Sequence, residues 1–196
     1  GIMIYAIGLT ADFRTKIPQT LEAHVCVLKQ VIDHCSFDQF IYFSSTRVYD
    51  GAVTTDEQQG LAVAPLIPSD FYNISKIMGE AYCLHCAKDN VKIIRLSNVI
   101  GFDPQADNFV IDVIRSALTD RKIILQTHPD SEKDFILLED VLSTIESISL
   151  QGKSTIYNIA SGQNISVGEI VREISTLTGA ELSLNYALPV TSFPRI

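Results

Sequence analysis

The apolar segments of this chain alternate in kind, and that alternation is its strongest constraint on fold. Met3 to Ile7 is a short apolar run that reads as a buried strand. Within Ile17 to Cys35, Leu21, Val25, Leu28 and Ile32 recur at helical spacing, and Pro18 suits the first turn. Gln39 to Ser45 is rich in aromatic and β-branched residues and reads as the next strand. A helix opening at Ser69 or Asp70 follows, capped by one of them, and Val91 to Val99 is again strand. A β-α-β-α-β order implies parallel strands joined by right-handed crossovers, so the fold class is α/β.

The remaining segments are shorter. Asp50 to Pro68 is a polar loop punctuated by Gly51, Gly60 and Pro65. Asn108 to Leu118 and Glu139 to Leu150 read as helices. Lys122 to Gln126, Phe135 to Leu138 and Ser154 to Ala160 read as strands. Ser166 to Leu177 is a helix with a capping box, Ser166 and Glu169, and Gly179 as its stop. A cleft between the two halves is the expected ligand site.

The chain has 196 residues, 46% of them hydrophobic, enough for a globular core. A formal charge of -8 argues against nucleic acid or an anionic membrane as a partner. No apolar run approaches the ~18 residues a membrane span needs. No basic leader precedes the first apolar residues. Four cysteines in a chain of this size do not make a disulfide scaffold, and a cytoplasmic setting is expected. Cys83-Leu84-His85-Cys86 has a metal-like spacing. Zinc takes four ligands, typically from two such pairs, and there is no second pair. The stretch reads as packed helix, His24, His34, His85 and His128 do not cluster in sequence, and no metal is expected.

The chemistry concentrates in Tyr72-Asn73-Ile74-Ser75-Lys76 and in Tyr42-Phe43-Ser44-Ser45-Thr46-Arg47-Val48-Tyr49. Residues four apart share a helix face, so Tyr72 and Lys76 point the same way. Ser45 ends a parallel strand, and open α/β sheets bind ligands at the carboxyl ends of strands. A phenol titrates near pH ~10 and is a poor base unless a neighbouring cation stabilises its anion. Taken alone, the Tyr-Lys pair is equally a half-exposed helical pair, and Ser45 equally a serine that ends a strand.

These pieces resemble the extended short-chain dehydrogenase/reductases, in their nucleotide-sugar epimerase/dehydratase branch. Ala6-Ile7-Gly8-Leu9-Thr10 resembles the fourth-strand turn beside the cofactor, and Ser44 to Tyr49 the serine strand. Tyr72 to Lys76 with Glu80 resembles the tyrosine helix, and Arg95 to Gly101 the strand that bridges cofactor and substrate. Lys133-Asp134-Phe135 with Glu139-Asp140-Val141 resembles the sugar-nucleotide stretch, and Tyr157 to Gly162 the strand before the last helix. The resemblance implies a Rossmann-like doubly wound parallel sheet, incomplete at its N-terminal side, with a small α/β substrate-binding part. Residues 1–101 are then the C-terminal half of an NAD(P)-binding domain. Residues 102–196 are mostly substrate-binding, with 154–160 free to return to the main sheet.

Roles follow from the resemblance. Tyr72 is implied as the catalytic acid/base, Lys76 as the cation that lowers its pKa and holds the nicotinamide ribose, and Ser45 as the hydrogen-bond donor to the reacting oxygen. Ala6, Ile7, Gly8, Thr10, His24, Ser44 and Ser97 are implied around NAD or NADP, with His24 where the family often has an asparagine. Thr46, Asn98, Asn108, Phe109 and Lys133 are implied around the substrate. Asn98 has the plainer reading of satisfying turn backbone. Lys133 has that of a surface lysine, and it stands where the family usually has a diphosphate-binding arginine. The helices of 17–35 and 71–88 are implied as a homodimer interface.

Two departures shape the expectation. Family dehydratases carry an Asp-Glu pair after the serine or threonine; here Thr46 and Arg47 stand there, and no carboxylate is placed to eliminate water. The implied function is therefore an NAD(P)-dependent epimerase or reductase of a nucleotide-activated sugar. The glycine-rich turn that binds the cofactor pyrophosphate is also not in the sequence. We expect the chain to be a fragment that lacks two βαβ units, about 60 residues at ~30 each. The alternative is a non-catalytic relative that binds a dinucleotide or a partner protein.

Overall fold

The structure, a computed structural model, describes residues 1–9, 12–86, 90–106 and 108–196. Four parallel strands form the main sheet in the order β1 (Ile2–Tyr5), β2 (Gln39–Ser45), β3 (Val91–Leu96), β7 (Ile156–Ile159). The register runs Tyr5 beside Tyr42, Ser45 beside Leu96, and Arg95 beside Asn158. This is the α/β arrangement the alternation predicts, with the incomplete Rossmann-like sheet of the resemblance.

Side chains alternate across the strands, and each face of the sheet has its own core. On one face Phe40, Tyr42 and Ile93 pack with Leu28, Ile32 and Cys83 from α2 (Val27–His34) and α3 (Asp70–Cys86). On the other, Ile41, Ile94 and Ile159 pack with Val141, Ile145 and Ile148 from α5 (Leu138–Gln151). A glycine within α3 permits the close approach: a Cβ at Gly79 would overlap Tyr42 Oη and lie 2.7 Å from Tyr42 Cζ. α3 therefore lies tight against the carboxyl half of β2, which places Tyr72 beside the strand's end.

The first helical segment is not regular. α1 (Ile17–Leu21) and α2 are joined by a π-helical turn, Glu22–Cys26. The wider turn buries both Ala23 and His24, where a regular helix would carry one of them away. Tyr5 Oη donates to the Ala23 carbonyl at 2.5 Å, tying the turn to β1.

The second half carries two smaller sheets. β4 (Asn98–Ile100) runs parallel to β6 (Glu132–Leu137), which pairs antiparallel with β8 (Asn164–Ser166). β5 (Lys122–Ile124) pairs with β9 (Glu181–Ser183) and packs with α4 (Phe109–Thr119) and α6 (Val167–Thr178). The capping box at Ser166 and Glu169 is present, and Gly179 takes the left-handed conformation at φ 67°.

Three expectations need correction. Val91 to Val99 is not one strand: Ser97 N donates to Ile159 O, and the chain then leaves the main sheet for β6. The short strands β8 and β9 carry three residues each, too few for alternation to show. Asp70 does not cap α3, because its carboxylate accepts from Ala64 N at 2.8 Å in the preceding loop. Among the described residues, no helix is long and apolar enough to cross a membrane.

Candidate active site

β2 ends at Ser45, and the chain turns at once into a 3-10 helix, Thr46–Tyr49. Ser45 caps that turn by accepting from Arg47 N at 3.2 Å. Tyr72 and Lys76 descend from the first turns of α3 on one face, each 6% exposed. The Ser45 side chain lies near enough to Tyr72 to favour its anion. The structure thus brings Ser45, Tyr72 and Lys76 together at the carboxyl edge of the sheet.

Burial raises the Tyr72 phenol above its ordinary pKa, while Ser45 and the Arg47 guanidinium pull it back down. Lys76 Nζ donates to Phe43 O at 2.9 Å and lies 5.4 Å from the Tyr42 ring centroid. Burial lowers its pKa to about 8, against the opposing pull of Glu80. The Tyr72 ring packs on Phe13 at 4.9 Å and edge-on to His24 at 5.3 Å.

His24 is fully buried at the π-helical turn. Leu9 N–H donates to its Nε2 at 3.3 Å, so the neutral ring carries its proton on Nδ1. Nδ1 then donates to Ser75 Oγ at 2.8 Å, and Ser75 Oγ donates to the Tyr72 carbonyl at 2.8 Å. This relay fixes the first turn of α3 against the segment that follows β1. Burial first, then Lys76, lowers the His24 pKa to about 3. The unfolded chain therefore binds a proton at this residue between about pH 6.5 and pH 3 that the folded chain does not. Stability contributed by neutral His24 is complete above the unfolded pKa and falls as pH drops. The expected loss is about 2 kcal/mol between roughly pH 7 and pH 5. Urea denaturation at both pH values checks it, and His24→Asn should remove that component of the slope.

The backbone at Gly8 passes close over these groups. A Cβ there would lie 3.0 Å from His24 Nε2 and 3.3 Å from Lys76 Nζ. Ser97 Oγ, at the break between β3 and β4, is buried with no hydrogen-bond partner among the described residues. A bare-backbone cradle over a lysine and an unpartnered hydroxyl at the sheet's carboxyl edge fit a ribose and its attached ring. Ala6 and Ile7 lie exposed just past β1, and Thr10 falls outside the described residues.

Other expected residues are placed differently. Ser44 faces α3, and its hydroxyl donates to Glu80 at 2.5 Å, away from Tyr72. Thr46 opens the 3-10 turn. Asn98 Nδ2 donates to Asp134 O at 2.8 Å, which agrees with its plainer reading. Asn108 caps α4 by accepting from Ile111 N at 3.0 Å. The Phe109 ring lies 5.9 Å from Lys133 Nζ. Lys133 is not a free surface lysine: burial lowers its pKa, and so do Arg47 and Arg14. Cys83 is buried, while the Cys86 side chain lies outside what is described.

Sequence reasoning missed Arg47 as a member of the site and noted it only as a departure from an acidic pair. It also missed Phe13, Arg14 and Ser75. A cation two residues after the site serine was the available signal for Arg47. Nothing in local spacing points to the other three.

The sequence pattern of the NAD dependent epimerase/dehydratase family matches residues 9–160. The chain belongs to that family. It is 26% identical over 179 residues to the dTDP-4-dehydro-6-deoxyglucose reductase of Escherichia coli, covering 88% of this chain and 55% of that protein. It is 29% identical over 159 residues to the GDP-6-deoxy-D-mannose reductase of Pseudomonas aeruginosa, covering 74% and 50%. The chain thus spans about half the length of the curated relatives it matches. Among solved structures it resembles an NAD-dependent NDP-hexosamine 5,6-dehydratase involved in tunicamycin biosynthesis. The TM-score is 0.82 at 20% identity, covering 100% of this chain and 67% of that one. At that identity the likeness is one of fold.

Proposed function

We propose that the protein moves a hydride and a proton at one carbinol of a nucleotide-activated sugar, as an NAD(P)-dependent epimerase or reductase. The observation that carries this is the convergence of Ser45, Tyr72 and Lys76 at the carboxyl edge of a parallel sheet. The family is NAD-dependent, and the two reductases named above act on sugars activated by dTDP and GDP.

The chain's own residues divide the work. Gly8, Lys76 and Ser97 hold the cofactor's ribose side, with His24 fixing the wall behind them. NAD(P), when held there, would supply the hydride-accepting and hydride-donating chemistry. Ser45 hydrogen-bonds the sugar oxygen, and Tyr72 Oη takes its proton during oxidation or supplies one during reduction. The Phe13 ring and the His24 edge pack on the Tyr72 ring and hold the phenol in place. Lys133, over the Phe109 ring, is the cation for the diphosphate. The non-catalytic alternative is disfavoured because the tyrosine, lysine and serine are all present on adjoining elements.

The test is to incubate the full-length protein with NAD(P)(H) and a panel of nucleotide sugars. Nicotinamide absorbance and sugar configuration by NMR are the readouts. A change in either supports the reading; no change in both, for every nucleotide sugar, defeats it.

A homodimer through the helices of 17–35 and 71–88 belongs to the same proposal, although 87 and 88 lie outside the described residues. Ile17 and Leu21 on α1 and Met78 on α3 stand about half exposed, which supports a covered face there. Sedimentation should give a dimer for the full-length protein and a larger monomer fraction for Met78→Glu.

A further inference from the structure

The proposed proton transfer makes no use of Arg47, yet the fold brings it to the same mouth. Its guanidinium carbon lies 5.4 Å from the Phe13 ring centroid, 6.0 Å from that of Tyr72 and 5.5 Å from that of Phe193. Its Nε is buried with no hydrogen-bond partner among the described residues. Among the described residues, no carboxylate lies within ion-pair distance of it. Asp50 and Asp70 favour its charge from farther away, and Arg14 opposes it. Lys133 feels both arginines. In a chain of net charge -8, Arg14 and Arg47 thus share the Phe13 ring, and Lys133 lies in their field.

Like charges brought together against aromatic rings repel one another and lose hydration. An anion bound between them relieves both costs, and the planar fork of an arginine matches a carboxylate. Position decides where that anion is carried. Arg47 stands over the ring of the phenol that meets the reacting carbinol. A group held by Arg47 therefore belongs to the same sugar ring, which leaves Lys133 for the diphosphate.

Resting on the function proposed above, we propose that Arg47 binds a carboxylate on the sugar ring, so that the preferred substrate is a nucleotide-activated uronic acid rather than its neutral hexose counterpart. Arg47 is then a specificity-determining residue, and Arg14 adds attraction for the incoming anion.

The test is equilibrium binding to the full-length protein, with NAD present, of matched pairs that differ only in CH2OH against carboxylate. UDP-glucose with UDP-glucuronate and GDP-mannose with GDP-mannuronate are such pairs. In the wild type the acid of at least one pair should bind about tenfold tighter or more. Arg47→Leu should bring that ratio to within about twofold of one, and Arg47→Lys should fall between, because it keeps the charge and loses the fork. The wild-type ratio tests the proposal whether or not a variant folds. Neutral sugars bound as tightly as their acids would overturn it and leave the nucleotide-sugar reading standing. An equal weakening of both members by Arg47→Leu would also overturn it and assign the arginine to the diphosphate. Failure of every member of every pair to bind would take down both readings together.

Discussion

Tyr72→Phe in the full-length protein is expected to lower kcat by roughly 10²–10⁴-fold, the usual contribution of a positioned acid/base. Thermal stability should be nearly unchanged. The substitution keeps the ring, and with it the packing on Phe13 at 4.9 Å and the edge contact with His24 at 5.3 Å. Only the hydroxyl and its interaction with Ser45 are lost. Burial works against the phenolate, so a phenol at this place is useful as a base only with the help of its polar neighbours. Ser45→Ala should give a smaller loss, since it removes one hydrogen bond and leaves the acid/base in place. Steady-state kinetics on whichever sugar nucleotide the wild type turns over decides the matter. An unchanged kcat in a folded Tyr72→Phe variant would reject the assignment.

The second large effect is structural. Arg95→Met is expected to destabilise the protein by about 3–5 kcal/mol, the cost of stranding one charge of a buried pair. Arg95 and Glu80 side chains are 3% and 5% exposed. They meet through two parallel bonds, Nε to Oε1 at 3.1 Å and Nη2 to Oε2 at 2.7 Å. Ser44 donates to the same Glu80 Oε1, and Arg95 Nη1 donates to Tyr49 Oη at 2.7 Å. Tyr49 Oη in turn donates to Asn158 Oδ1 at 2.9 Å. The network ties β2, β3, β7, α3 and the 3-10 turn together beneath the site. Arg95→Met with Glu80→Leu should recover much of the loss, because no unpaired charge then remains. Urea denaturation of the two single variants and the double variant measures this. A loss for Arg95→Met near that of an exposed pair, about 0–1 kcal/mol, would show the network to be dispensable.

How far the sequence reached can be judged from particular residues. The strand Gln39–Ser45 and the cap pair Ser166 and Glu169 were legible to the residue, because both are set by short-range geometry. Tyr72 and Lys76 were legible as a pair, because helical spacing alone puts them on one face. Ser44 and Ser45 alternate in the sheet, with Ser44 turned to Glu80 and Ser45 near the phenol. Glu80 was noted in the motif, but its partner Arg95, fifteen residues away, was not. His24 was named for a resemblance. The π-helical turn that buries it shifts the buried face, so that Leu21, on the expected apolar face, stands exposed while Ala23 and His24 are buried.

By itself the sequence determined the longer strands and helices, and that a phenol and an ammonium share one helix face. Those properties depend on backbone geometry over a few residues. Only the tertiary structure decided that the chain changes sheets at Ser97, that His24 reaches Ser75, and that Arg47 stands over Tyr72 with Arg14 and Lys133 in its field. These are contacts between residues far apart in the chain. They are fixed by strand order and by which side chains fill the space between packed layers, and no local spacing carries that information.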